Sequence, residues 1–173
     1  MSPFPSKPHR RWLLPSPATH HELLELELLG AWEPPTSELS KLVKAKGPKL
    51  VFLMETQKKR SYLERLRCCL NFDNIFIVPQ KNRSGGLALQ WMNEIDLHIR
   101  TYSLHHINVV VNPRVDDAWH FTGFYGALEA ANREDSWMLL CHLATQLDLP
   151  WAYIGEFNEI ICLGEKSGGL IRP

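Results

Sequence analysis

The chain has no excess of charge of either sign: nineteen Lys and Arg balance nineteen Asp and Glu over 173 residues. A protein that holds nucleic acid through bulk positive charge is not expected from such a balance, which leaves only local clusters for that role. Lys58, Lys59 and Arg60, then Arg65 and Arg67, and Lys81 with Arg83 form such clusters. They read either as solvated helix and loop faces or as a rim that follows phosphate. No stretch approaches the ~20 apolar residues of a membrane-spanning helix, so a membrane is not an expected partner. No Cys-x-x-Cys pair occurs among Cys68, Cys69, Cys141 and Cys162, which argues against a zinc site. Reduced, partly buried thiols are expected instead, as in an intracellular protein of the nucleus or cytoplasm. Gly85-Gly86 reads as a turn, because no phosphate-loop lysine follows it.

Acidic residues are absent before Glu22, and that stretch is dense in Pro, Ser and His. Residues 1–35 therefore read as a poorly ordered, Pro-rich arm, with an organellar transit segment as the alternative. Within it, Glu22 to Leu29 is Leu/Glu-rich and suits a short helix or a strand. Residues 36–173 read as a single domain, and an apolar fraction of 45% supplies a core.

Helical and extended patterns alternate along that domain. Thr36 or Ser37 caps a helix with Leu39, Leu42 and Val43 on its apolar face, stopped at Gly47-Pro48. Tyr62, Leu63, Leu66 and Leu70 have helical spacing, closed by Asn71. Leu87, Leu89 and Trp91 alternate with Ala88 and Gln90, and Ile95, Leu97 and Ile99 with Asp96, His98 and Arg100. Both read as half-buried strands with one wet face. Two further strands cover Ile107 to Val111 and Trp119 to Tyr125. A helix stripe of Trp137, Leu140, Cys141, Ala144 and Leu147 precedes a last strand from Leu149 to Ile154. His98 and His120 are expected to face outward, and Trp91, Trp119, Trp137 and Trp151 to anchor the core. This order predicts an α/β fold around a mixed, largely antiparallel sheet.

Three of the apolar runs end in a functional group. Val51-Phe52-Leu53-Met54 stops at Glu55, Phe121-Thr122-Gly123-Phe124 at Tyr125, and Trp151-Ala152-Tyr153-Ile154-Gly155 at Glu156, with Asn158 two residues on. Residues two apart on an extended chain share a face, so Glu156 and Asn158 pair a carboxylate with a carboxamide. Such strand ends suggest a site at one rim of the sheet.

The ordered set Leu53-Met54-Glu55-Thr56, Ser84-Gly85-Gly86-Leu87-Ala88-Leu89, Phe121-Thr122-Gly123-Phe124-Tyr125-Gly126 and Gly155-Glu156-Phe157-Asn158-Glu159 resembles the endonuclease/exonuclease/phosphatase superfamily. The resemblance is closest to the endonuclease-like domains of plant LINE-type retrotransposons and runs from about Thr36 onward. It implies a deoxyribonuclease-I-like α/β sandwich and hydrolysis of phosphoesters with Mg²⁺ or Mn²⁺, DNA being the favoured substrate. By position, Glu55 takes the place of the metal-binding glutamate. Tyr125 takes that of the tyrosine near the scissile phosphate. Glu156 and Asn158 take those of the aspartate and asparagine of the Gly-Asp-x-Asn motif.

Several departures accompany the match. No asparagine precedes Asn71, where the family places an amide at the end of its first strand. Glu156 stands for an aspartate. No aspartate follows Asp148 and no histidine follows His142, although the family closes on both. The expectation is a partial domain with its C-terminal portion missing and its activity lost or impaired. Its inner sheet face would lack a partner and invite self-association or a completing protein. The alternative is a non-catalytic module for nucleic acid or protein.

Overall fold

The computed structural model describes residues 23–27, 36–80, 85–126 and 133–156. The elements run β1 (Leu23–Glu27), α1 (Thr36–Lys46), β2 (Leu50–Met54), α2 (Arg60–Leu70), β3 (Asn74–Val78), β4 (Leu87–Trp91), β5 (Leu97–Ser103), β6 (His106–Val111), β7 (Trp119–Tyr125), α3 (Arg133–Ala144) and β8 (Trp151–Glu156). The Leu/Glu-rich segment is thus a strand. Most of the Pro-rich stretch around it lies outside the described residues.

The strands form two four-stranded sheets, ordered β1-β2-β4-β3 and β5-β6-β7-β8. Four of the six strand pairs are antiparallel; β1 with β2 and β7 with β8 are parallel. The inner faces lie against each other. Leu50, Phe52, Met54, Leu87 and Leu89 from the first sheet meet Ile107, Val109, Val111, Trp119, Phe121 and Tyr125 from the second, all buried. Phe52 packs edge-on against Phe121, with ring centroids 6.2 Å apart. Its ring also fills the place a Cβ would take on Gly123, which would come within 2.3 Å of it. This seats β2 over β7, and the Phe76–Tyr102 contact seats β3 over β5. The expected bare inner face is therefore absent among the described residues. Alternation along one strand shows that a face is apolar but not which later strands will cover it.

The outer face of the first sheet carries α1 and α2. Leu63, Leu66 and Leu70 of α2 and Leu39 and Val43 of α1 bury Val51, Leu53 and Ala88. Leu42, expected on that face, is exposed. Asn71 ends α2 in the left-handed region, φ 64°, and its N–H bonds the Cys68 carbonyl while Phe72 N–H bonds that of Arg67. This is the double bond that closes many helices, and the buried Phe72 locks it. Because helices cover β4 as well, Gln90 is fully buried and its side-chain amide has no hydrogen-bond partner among the described residues. The wet face expected for β4 does not exist. The cysteines differ too: Cys68, Cys69 and Cys141 are exposed and free. On α3 the buried residues are Leu140 and Leu143, whereas Trp137 is 39% exposed rather than a core anchor.

The second sheet's outer face holds a polar chain across all four strands. Trp151 Nε1–H donates to Thr122 Oγ1 (3.0 Å), and the Thr122 hydroxyl donates to Asn108 Oδ1 (3.3 Å). His120 Nε2–H donates to the same oxygen. Asn108 Nδ2 donates to Thr101 Oγ1 (3.2 Å), which contacts His106 Nε2 (3.1 Å). Ser103 Oγ lies 2.8 Å from His106 Nδ1, so each ring nitrogen of His106 has a hydroxyl partner. A β-bulge between Ile99 and Thr101 turns Thr101 onto this face. His120, expected to face solvent, is 1% exposed here and stacks on Trp151. Burial holds both imidazoles near pKa 4, with a smaller contribution from His105 at His106 and from Arg100 at His120. His98 and His142 are exposed as expected.

Candidate functional site

The ends of β2, β7 and β8 converge on one rim of the sandwich. Along β2, Leu50, Phe52 and Met54 face the core between the sheets. Strict alternation would send Glu55 to the helix side. Its backbone instead enters the left-handed region, φ 49°, and Gln57 follows at φ 42°. Non-glycine residues adopt this conformation only where their surroundings hold it. Here the hold is visible. Thr56 N–H bonds the Gly86 carbonyl (3.1 Å) and Gln57 N–H that of Gly85 (3.3 Å). Gly85 and Gly86 have φ 79° and 92°, and a Cβ on Gly86 would stand 2.6 Å from the buried Thr56 hydroxyl. The Gly-Gly turn therefore serves to pin the end of β2.

That kink brings the Glu55 carboxylate to Tyr125, whose hydroxyl donates to Glu55 Oε1. The two residues are seventy apart in sequence and lie in different sheets. Tyr125 is only 5% exposed, and its ring belongs to the inter-sheet core. Its backbone is fixed by the β5–β6 turn: Tyr125 N–H bonds the His105 carbonyl (2.8 Å) and His105 Nδ1 the Tyr125 carbonyl (3.1 Å).

Glu156 joins them through the parallel β7–β8 register, where Tyr125 pairs with Glu156. Gly126 N–H bonds the Glu156 carbonyl at 2.7 Å. Ala152 and Ile154 of β8 pack on the inner core, so Glu156, next in the alternation, shares that face. Gly155 makes the close approach possible. Its φ is 146°, and a Cβ would stand 1.7 Å from the Phe124 carbonyl oxygen. The strand-end tyrosine and both glutamates thus meet at one rim. Asn158 lies outside the described residues.

Two neighbours were not legible in the sequence. His105 reads as half of an unsupported His-His pair until the β5–β6 turn sets it beside Tyr125. β1 ends on Glu27, the register partner of Met54, so another strand closes on an acidic residue next to Glu55. Spacing alone gives no sign that β1 lies beside β2.

Among the described residues no group of three or more His, Cys, Asp or Glu is arranged to hold a metal ion. A hard divalent cation needs less from the protein. Mg²⁺ is commonly held by one or two carboxylates and keeps several waters. Glu55, with Oε2 making no hydrogen bond among the described residues, and Glu156 on the same face supply that donor type.

Two stacked sheets, with α1 and α2 outside the first, form part of the deoxyribonuclease-I-like fold seen in similar solved structures. The endonuclease domain of TRAS1, a telomere-specific non-LTR retrotransposon, is similar at 11% identity and TM-score 0.58, over 80% of this chain and 61% of that one. TDP2 of D. rerio, solved with a single-strand DNA product, is similar at 10% identity and TM-score 0.57, over 80% of this chain and 60% of that one. A mannosyl-6-phosphatase of Bacteroides thetaiotaomicron is similar at 13% identity and TM-score 0.56, over 79% and 64%. The chain thus spans about three fifths of the length of these proteins. No protein-family model matches the sequence, and no curated protein matches it significantly. No helix among the described residues is long and apolar enough to cross a membrane.

Proposed function

We propose that this chain is an endonuclease/exonuclease/phosphatase-family domain with a weakened, metal-dependent phosphodiesterase site directed at DNA. The observation that carries the reading is the hydrogen bond from Tyr125 to Glu55, which ties the ends of β2 and β7 together across the two sheets. A purely structural polar contact at a strand end needs neither a left-handed glutamate nor a Gly-Gly turn to hold it. Both are present here.

In this reading Glu55 holds Mg²⁺ or Mn²⁺, with Glu156 beside it. The bound cation would neutralise phosphate charge and polarise the phosphoryl oxygen. The protein's own groups do the rest. Tyr125 fixes the Glu55 carboxylate so that no reorganisation is needed when substrate arrives. The Glu156 carboxylate accepts the proton of an attacking water, and the Asn158 amide donates to the phosphate. The weakness lies at Glu156. A glutamate is one methylene longer than the aspartate of the family motif, and a displacement of about 1 Å can cost ~10²-fold in rate.

The test is nicking of supercoiled plasmid by the full chain with Mg²⁺ and then Mn²⁺, beside Glu55→Gln. Slow nicking by the wild type, absent from Glu55→Gln, is expected. Equal signals from both, with the protein folded by circular dichroism, would leave a non-catalytic module as the reading.

A further inference from the structure

The loop from Glu55 into α2 carries Lys58, Lys59 and Arg60 in succession, and no acidic residue stands between Thr56 and Leu63. In a chain whose formal charges cancel, this is a local concentration of positive charge beside the candidate site. The segment is also held in place. Its first residues are pinned to the Gly-Gly turn, and Thr56 is buried. At its far end α2 is anchored by Leu63 and Leu66. The Lys58 ammonium lies over the Tyr62 ring, 5.4 Å from its centroid, which orders the stem of that side chain. Lys59 is exposed. The Arg60 side chain is 72% exposed, and its ion pair with Glu64 is long, 3.7 Å, and solvent-facing. Such a pair holds a guanidinium weakly, so it can exchange for a phosphate.

We propose that Lys58, Lys59 and Arg60 form the docking surface for a nucleic-acid strand, holding its phosphates as the strand runs toward Glu55 and Tyr125. The surface deepens the functional reading above by assigning the substrate's handle, and it stands or falls separately from catalysis. Compact cations on a fixed loop suit a row of phosphates and carry no base readout, so binding through them is independent of sequence. Its strength falls with salt, because each phosphate neutralised releases condensed counterions. α1 offers an internal contrast. Lys41, Lys44 and Lys46 are also exposed, but α1 runs into the start of β2, at the opposite end from Glu55.

The experiment is fluorescence anisotropy of a labelled single-stranded oligonucleotide with the full chain at 50 to 200 mM NaCl. Wild type, Lys58→Gln/Lys59→Gln/Arg60→Gln and the matched Lys41→Gln/Lys44→Gln/Lys46→Gln are compared, with Lys59→Glu alone as a milder variant. The loop triple is expected to bind about tenfold or more weakly, with a log–log salt slope shallower by about 2, since each single-strand phosphate contact contributes about 0.7. Lys59→Glu is expected to shift in the same direction, and the α1 triple to match the wild type. Loss in the α1 triple instead, unchanged binding by the loop triple, or no wild-type binding at 50 mM NaCl would each overturn the surface. DNA binding through the loop without any nicking would keep the surface and remove the catalytic reading.

Discussion

Lowering the pH from 7 to 4 is expected to remove about 6 kcal/mol of stability, a large part of a total that is typically ~5–15 kcal/mol. The cause is the buried pair His106 and His120. Each has an ordinary pKa of 6.5 that the fold lowers to about 4, chiefly because the charged ring is out of water. Both are almost fully buried, 5% and 1% exposed. Below pH 6.5 the unfolded chain takes up protons that the native state refuses until about pH 4. Stability therefore falls with pH throughout that window, by about 3 kcal/mol for each histidine at 1.36 kcal/mol per pKa unit. Thermal unfolding followed by circular dichroism at pH 7, 6, 5 and 4 measures this directly. A melting temperature that stays level down to pH 4.5 would show that the polar chain does not hold these rings neutral.

Glu156→Asp is expected to raise the rate of plasmid nicking by up to ~10²-fold, the reverse of the cost of an ångström-scale misplacement. The backbone already delivers position 156 to the rim. It pairs with Tyr125 in register, and its carbonyl is held by Gly126 N–H. Only the reach of the side chain departs from the family motif, so shortening it needs no backbone change. The gain should appear in kcat and not only in KM, because the carboxylate acts on the attacking water. An unchanged rate in a folded Glu156→Asp protein would mean that position 156 takes no part in the chemistry, and a lower rate that the longer glutamate already fits the site.

Much of this site was legible in the sequence because each component ends an apolar run. Val51 to Met54 and Phe121 to Phe124 need burial on both faces, and Glu55 and Tyr125 mark where that burial stops. Their contact was not legible. It depends on β2 lying over β7, and the strand order β1-β2-β4-β3 cannot be read from alternation. The misreadings share one origin. Gln90 and His120 alternate with apolar neighbours, and alternation predicts a wet face. Helices cover one of them, and a hydrogen-bonded layer with Trp151 surrounds the other. Period two separates the faces of a strand without saying which face meets water. Glu27 went unnoticed because a Leu/Glu run fits a helix or a strand equally well until it pairs with β2.

The central claim is that Glu55, at the end of β2, holds a divalent cation. Calorimetric titration of Mn²⁺ into the wild type, Glu55→Gln and Glu156→Gln tests it without any need for turnover. The account predicts binding by the wild type, at least tenfold weaker binding by Glu55→Gln, and a clearly smaller loss in Glu156→Gln. Mn²⁺ affinity that survives Glu55→Gln unchanged would contradict it.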